Sequence, residues 1–415
     1  MNVDLIGNAI VGQSGGPTTA INATLAGVIR GALANKNIGK IYGMRNGIEG
    51  LLDRRIIDLG EAIGTSEQIY TLERTPAAAL GSCRKKLPSV DSEKPEDIAV
   101  YERIFEILAE YDIRYFFYIG GNDSLATAAK MAKFSENCGY EIRIIGIPKT
   151  IDNDLLVTDH TPGYGSAAKY VATTMQEIIR DCAVYTTKAV TIVEIMGRDA
   201  GWLTAASAVG SIVNGQAPDL VYLPERAFNY DEFFASIEKA FLKHPNIVVA
   251  ISEGIRFADG RYICESEEGG GTDVFGHKAL SGAGKTLELA VKARFGCKVR
   301  SIELNLPQRC AAHILSKTDI TESVAIGKEA VRVAVEEGAS GEMMIFERAD
   351  GEPYFCTVGH RKVAEIANMV KHVPDEYINA EGNFVTRECC EYILPLIEGE
   401  DAPRYIKGIP DYIIL

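Results

Sequence analysis

Gly120-Gly121-Asn122-Asp123-Ser124 and Pro148-Lys149-Thr150-Ile151-Asp152-Asn153-Asp154 decide how this chain reads. Each follows a short apolar run, Tyr115 to Ile119 before the first and Ile142 to Ile147 before the second. Runs that are apolar on both faces and rich in β-branched and aromatic residues mark buried parallel strands. In open α/β sheets, ligands bind just beyond the carboxyl ends of such strands. Two strand-end loops are therefore expected to face one crevice. One offers glycine backbone and a carboxylate; the other offers a lysine, a hydroxyl and two carboxylates. That set suits phosphoryl transfer, with amides and a cation for phosphate and carboxylates for a metal and a hydroxyl proton.

The flanking sequence repeats the pattern. Val3 to Val11 reads as a first strand, followed by Gln13-Ser14-Gly15-Gly16-Pro17-Thr18-Thr19-Ala20 and a helical run to about Leu33. A strand, a Gly-rich turn and a helix can cradle phosphate, because glycine lets the backbone approach and the helix N-terminus favours an anion. The turn matches neither GxGxxG nor GxxxxGK[ST], so a plain βα turn is the alternative. Ile41–Tyr42 reads as a second strand. Leu80-Gly81-Ser82-Cys83-Arg84-Lys85-Lys86 brings three basic residues together, which is also what a solvated loop looks like. Glu96 to Tyr111 is amphipathic at helical spacing. Ser124 to Phe134 reads as the next helix, with Asp123 and Ser124 near its start where side chains can cap. Val190 to Ile195 is a strand ending in Met196-Gly197-Arg198-Asp199-Ala200-Gly201-Trp202, and Asn246 to Ile251 one ending in Ser252-Glu253-Gly254. Strands and helices alternate through the first 310 residues, the signature of α/β architecture with parallel sheets.

Gly269 to Thr272 reads as a flexible turn. Ser281-Gly282-Ala283-Gly284-Lys285-Thr286 is read as the start of a helix and not as a Walker A loop, because Ala279 stands where the first glycine would fall. Val299 to Leu304 is a last strand before Pro307-Gln308-Arg309, and Thr321 to Glu337 a long helix. Glu342–Glu347 and Tyr354–Thr357 flank Asp350-Gly351 as a hairpin. Asp152 and Asp154 lie two apart, so in an extended chain both point the same way. One can take a hydroxyl proton while the other orients it or helps to hold metal. An Asx-rich turn is the alternative; Lys149 and Thr150 at the same strand end favour a site.

The chain has 415 residues, 47% of them hydrophobic and 24% charged, as in ordinary globular proteins. Its net charge of -14 disfavours a nucleic-acid partner. No run approaches the roughly 18 apolar residues of a membrane span, and the N-terminus lacks the pattern of a secretory signal. Nine cysteines without a CxxC pair suggest reduced thiols and a cytoplasmic setting.

The ordered set SGG, GGNDS, PKTIDND, MGRDAGW, SEG and PQR resembles the phosphofructokinase family over roughly residues 5 to 320. The resemblance implies two Rossmann-like three-layer domains with parallel-rich sheets and the active site in the cleft between them. It implies a donor-binding domain over 1–160, completed by part of 310–360, a sugar-phosphate domain over 161–310, and a C-terminal extension over 320–415 packed on the core. It also implies phosphoryl transfer to O1 of fructose 6-phosphate with Mg2+. By position, Asp152 matches the base, Thr150 a neighbour of the transferring group, and Asp154 the accompanying carboxylate. Gly16 matches a backbone contact to donor phosphate and Arg84 a donor-side arginine, with Gly121 and Ser124 in the same loop. Met196, Gly197 and Arg198 match the sugar-phosphate loop, Glu253 a sugar-hydroxyl contact, and Arg309 an arginine on the 6-phosphate. Arg300 matches an arginine reaching a neighbouring subunit's substrate, which implies a dimeric or tetrameric homo-oligomer. Leu306 stands where many relatives carry histidine or tyrosine, and Asn122 where many carry a magnesium-linked aspartate; its amide offers an oxygen without charge, so of the metal residues Asn122 and Asp123 the metal rests more on Asp123 and on the donor itself.

The donor follows from Asp123. Relatives that use ATP read GGDGS, with glycine at that place. A carboxylate there collides with and repels the nucleotide's α-phosphate, whereas pyrophosphate has no such group. With Lys149 beside it, Asp123 makes the chain resemble the pyrophosphate-dependent branch. The alternatives are an ATP-dependent 6-phosphofructokinase and a non-catalytic regulatory subunit; Asp152, Lys149 and Gly16 argue against the second.

Overall fold

The computed structural model describes residues 5–265, 282–351, 353–363 and 370–415. Strands Gly7–Gln13 (β1), Ile38–Met44 (β2), Ile56–Asp58 (β3), Ile113–Gly120 (β4) and Arg143–Pro148 (β5) begin one sheet. Ala189–Ile195 (β6), Leu220–Tyr222 (β7), Asn246–Ser252 (β8) and Lys298–Glu303 (β9) form a second. Leu315–Ser316 (β10), Glu342–Arg348 (β11), Cys356–Lys362 (β12) and Glu400–Asp401 (β13) follow. The first sheet has seven strands in the order β12-β11-β5-β4-β1-β2-β3, and the second four in the order β7-β8-β6-β9. Every pairing in the second sheet is parallel. In the first, only the outer pairs β2–β3 and β11–β12 are antiparallel. The fold is α/β with parallel-rich sheets.

Strand periodicity explains the layering. Ala9 and Val11 of β1 join Tyr115, Phe117 and Ile119 of β4 in one core cluster, while Ile10 joins Phe116 and Tyr118 in another on the opposite face. In the second sheet Val193, Val248 and Ala250 face one cluster, and Ile192, Val249 and Ile251 the other. Successive side chains alternate across a strand, so a run apolar throughout needs helices on both faces. Helices Ile21–Leu33 and Lys317–Arg332 pack together on the first sheet.

Several boundaries move. β1 starts at Gly7, later than the expected Val3, and residues 1–4 lie outside the described chain. β2 extends well beyond Ile41–Tyr42 because β1 pairs with it from Ile38 to Met44. The helix expected at Thr321 begins at Lys317, capped by the Ser316 side chain on the Asp319 amide, and closes in a π turn at Val333–Glu337. Helix Ala283–Phe295 starts after Gly282, as the sequence suggests; the turn expected at Gly269–Thr272 lies outside the described residues. The 342–362 hairpin forms as expected and joins the first sheet by parallel pairing of β11 with β5.

The chain beyond it divides its contacts. Val373, Ile378, Val385, Cys389 and Leu396 enter the core of the second sheet. β13 pairs with β10, and Arg74 grips Asp401 through Nε at 2.7 Å and through its NH2 group at 2.8 Å. No helix among the described residues is long and apolar enough to cross a membrane.

Candidate active site

A cleft of about 280 Å³ opens at the carboxyl ends of β1, β4 and β5, lined by Gly16, Arg84, Asp123, Lys149, Asp152 and Arg309 among others. The SGG turn is fixed from beneath. The Ser14 amide donates to the Ile119 carbonyl at 2.9 Å, and the Gly15 amide to the Cys83 carbonyl at 3.2 Å. The Ser82 hydroxyl donates to the Gly15 carbonyl at 2.5 Å, so the SGG turn and the Arg84 loop are tied to each other. Gly15 has φ 80, a left-handed conformation that glycine adopts without strain. At Gly120 the requirement is space: a Cβ there would lie 2.1 Å from the Ser124 hydroxyl and 3.0 Å from the Ser14 carbonyl.

Helix Asn122–Cys138 springs from Gly121 with no side-chain cap. Asp123 and Ser124 therefore do not cap it, contrary to the sequence expectation; both lie inside the first turn, too far along to reach back. The first amides are left facing the cleft, where an anion is favoured. The Asp123 carboxylate, about half exposed, lies 3.1 Å from the Lys86 ammonium.

Lys149 is 2% exposed. Its Nζ donates to the Gly16 carbonyl, and its backbone amide to the Gly120 carbonyl at 3.0 Å. Burial lowers its pKa to about 8, against the opposing pull of Asp152 and Asp154. Asp152 moves the other way. Burial first, then the neighbouring Asp154 and Glu253 carboxylates, raise it to about 7, while Arg198 and Lys149 hold it down. Asp154 is also raised, chiefly by burial, with Asp199 adding to it and Lys371 and Lys149 opposing it. A carboxylate held near neutrality suits proton abstraction at physiological pH.

The two aspartates reach the cleft by a route the sequence does not show. Asn153 between them has φ 55, so the segment is not extended and simple alternation does not operate. The Asp152 amide donates to the Thr150 hydroxyl at 3.1 Å and the Thr161 hydroxyl to the Thr150 carbonyl at 2.9 Å. The chain turns locally, and both carboxylates line the cleft.

The second sheet supplies the other wall. Met196 lines the cleft and also an adjoining cavity of about 50 Å³ with Glu194, Glu253 and Gln308. Glu253 accepts from the Gly197 amide at 3.2 Å, and Gly197 has φ 126. Arg198 is partly buried, and its Nε has no hydrogen-bond partner among the described residues. Arg309 lies closer to the donor turn than its expected place implies: one guanidinium nitrogen is 3.3 Å from where a Cβ on Gly16 would be. Arg300 is not in this cleft. It lines a separate pocket with Asp181, Cys182 and Lys298 at the opposite end of the sheet. Leu306 is exposed.

Asn122 and Asp123 both line the cleft and offer the hard oxygen donors a divalent ion prefers. Lys86 already partners Asp123, so the donor set fits an ion that takes most of its ligands from phosphate oxygens. Gln308 stands in the PQR motif but carries no role in the sequence reading: fully buried, it accepts from the Met196 amide at 3.1 Å through its side-chain oxygen. Its place beside Arg309 was the only signal. Glu225, which accepts from the Gly201 and Val373 amides at 2.9 Å each, had none.

Such a cleft on such a fold defines a phosphotransferase acting on small molecules. The phosphofructokinase family model matches residues 8–339. The pyrophosphate–fructose 6-phosphate 1-phosphotransferase of Halomonas elongata is 40% identical over 406 residues, 97% of this chain and 94% of that protein. The enzyme of the same name from Methylococcus capsulatus is 40% identical over 412 residues, 98% of this chain and 96% of that one. The crystal structure of pyrophosphate-dependent phosphofructokinase from Nitrosospira multiformis superposes with a TM-score of 0.87 at 38% identity, covering 98% of this chain and 96% of that one. The chain belongs to the phosphofructokinase family.

Proposed function

We propose that this chain transfers a phosphoryl group from pyrophosphate to O1 of fructose 6-phosphate, giving fructose 1,6-bisphosphate and phosphate in a reversible glycolytic step. The observation that carries this is the buried Lys149 ammonium, held at the Gly16 carbonyl in a cleft that also presents Asp123, Asp152 and Asp154. Pyrophosphate lies against the Gly16 and Gly121 amides, with Ser124 in the same loop, between Arg84 and Lys149. Asp152 takes the proton of the sugar hydroxyl, while Thr150 and Asp154 position the reacting groups. Lys149 meets the charge that develops on the transferring oxygens, in a site where water is scarce. Met196, Gly197, Arg198, Glu253 and Arg309 hold the sugar phosphate. Asn122 and Asp123 would hold Mg2+, which would shield charge on the phosphoryl oxygens.

Domain boundaries near 160 and 310, a homo-oligomer in which Arg300 serves a neighbouring cleft, and a cytoplasmic setting belong to the same proposal. Purified chain with fructose 6-phosphate and Mg2+ tests it. Pyrophosphate is expected to support rapid bisphosphate formation and ATP little or none. The mixture should also run backwards from fructose 1,6-bisphosphate and phosphate. Preference for ATP at equal concentration removes the donor assignment; inactivity with both donors and an intact fold points to a regulatory subunit.

A further inference from the structure

The stretch Val370–Val373 lies far along the chain from every motif, yet it touches both walls of the cleft. Val370 forms an antiparallel bridge with Leu155. The Lys371 amide donates to the Asp154 carbonyl at 2.8 Å. Its carbonyl accepts from the Trp202 indole nitrogen at 3.0 Å, at the end of the MGRDAGW segment. Its side chain turns inward between the Trp202 and Tyr392 rings, 5.0 and 5.8 Å from their centroids. There Nζ donates to the Asp159 carbonyl and to the Thr158 carbonyl. Tyr392 completes the lock: its hydroxyl donates to the Asp159 carbonyl at 2.7 Å and accepts from Asn153 Nδ2 at 3.1 Å. Asn153 is the left-handed residue that turns Asp152 and Asp154 into the cleft.

A half-buried cation with an apolar stem is a costly device if its only purpose is to fill space; its partial desolvation lowers the pKa of Lys371 to about 8. Here its donors are spent on the Thr158 and Asp159 carbonyls, on the segment that leaves the Asp152–Asp154 loop, while its backbone amide holds the Asp154 carbonyl. We infer that Lys371 is a positioning residue for the reaction, a clasp that fixes the Asp152–Asp154 loop against the sugar-phosphate loop. This rests on Asp152 being the base. Because it acts on geometry and touches neither substrate, its loss should lower kcat with little change in KM.

Lys371→Met keeps the stem and removes the ammonium. Its kcat should fall by about 10- to 100-fold, the range a small misplacement of reacting groups produces. KM for both substrates should stay within about threefold on the same grounds. Lys371→Arg, which can still donate to the same carbonyls, should recover part of the loss. Tyr392→Phe deletes one hydroxyl and should lower kcat by about 3- to 10-fold; combined with Lys371→Met it should add little, because both act on one loop. A folded Lys371→Met enzyme with parental kcat, or one whose KM values rise in step with the loss, overturns the clasp. If Lys371→Met does not fold, Tyr392→Phe decides by the same split. Full turnover in Asp152→Asn would instead sink the assignment of the base, so the two failures are distinguishable.

Discussion

Replacing Asp123 with Gly removes a carboxylate from the mouth of the donor cleft. A nucleotide's α-phosphate about 4 Å from that carboxylate would be repelled by about 4 kcal/mol at the dielectric of a protein surface and by about 1 kcal/mol in bulk water. The Asp123 side chain is 48% exposed, and Lys86 stands 3.1 Å away. Solvent screening and that counter-ion place the repulsion toward the lower bound, at about 1–2 kcal/mol. Its removal should raise the ratio of kcat/KM for ATP to that for pyrophosphate about 5- to 30-fold, the loss of a Mg2+ ligand being common to both donors. Stability should fall by about 1–2 kcal/mol, since the first turn of a helix loses a favourable carboxylate and gains a glycine. That leaves most of an ordinary domain's stability intact. Lys86→Gln in the parent provides the opposite sign: with its counter-ion gone, Asp123 should reject ATP more strongly. Initial rates with each donor at saturating fructose 6-phosphate measure both. An ATP-to-pyrophosphate ratio that stays within twofold in the glycine variant, or that rises in Lys86→Gln, refutes the electrostatic account.

Asp152→Asn should lower kcat in both directions by about 10²–10⁴-fold with nearly unchanged sugar-phosphate affinity; turnover within a few-fold of the parent would remove Asp152 from the role of base. The pH profile of kcat/KM should be a narrow bell. Asp152 must be ionised, and its raised pKa puts the acid limb near 7. Lys149 must be charged, and its lowered pKa puts the alkaline limb near 8. The acid limb belongs to the Asp152–Asp154 pair as a whole, and an acid limb at an ordinary carboxylate value would contradict the burial that raises it. Arg300→Ala should raise KM for fructose 6-phosphate more than it lowers kcat, and the parent should sediment as a dimer or larger; a monomer with full activity during turnover would count against a shared site.

What the sequence made legible were the places where one strand meets one loop. Apolar runs at Tyr115–Ile119 and Ile142–Ile147 announce parallel strands, and a parallel strand dictates where its next residues open. Gly16, Asp123, Lys149 and Asp152 therefore fall in one cleft without any knowledge of the rest of the chain. Inferences that needed backbone angles fared worse. Asp152 and Asp154 share the cleft, but by the left-handed turn at Asn153 and not by strand alternation; Asn tolerates that conformation better than most residues, which is a signal only in hindsight. Contacts between distant segments were illegible. Asp154 meets Lys371, Asn153 meets Tyr392 and Arg74 meets Asp401, and two of these three use backbone groups or a neutral amide that any sequence could offer. Their common physical cause is that a turned, partly buried loop must satisfy its own carbonyls and amides. The TIDND loop does so from within at the Asp152 amide, which donates to the Thr150 hydroxyl, and Thr161 takes the Thr150 carbonyl; the Asp154 carbonyl and the Asn153 side chain need other partners. The partners come from the segment after residue 370, so a part of the chain without a recognisable motif completes the hydrogen bonding of the loop that carries the chemistry.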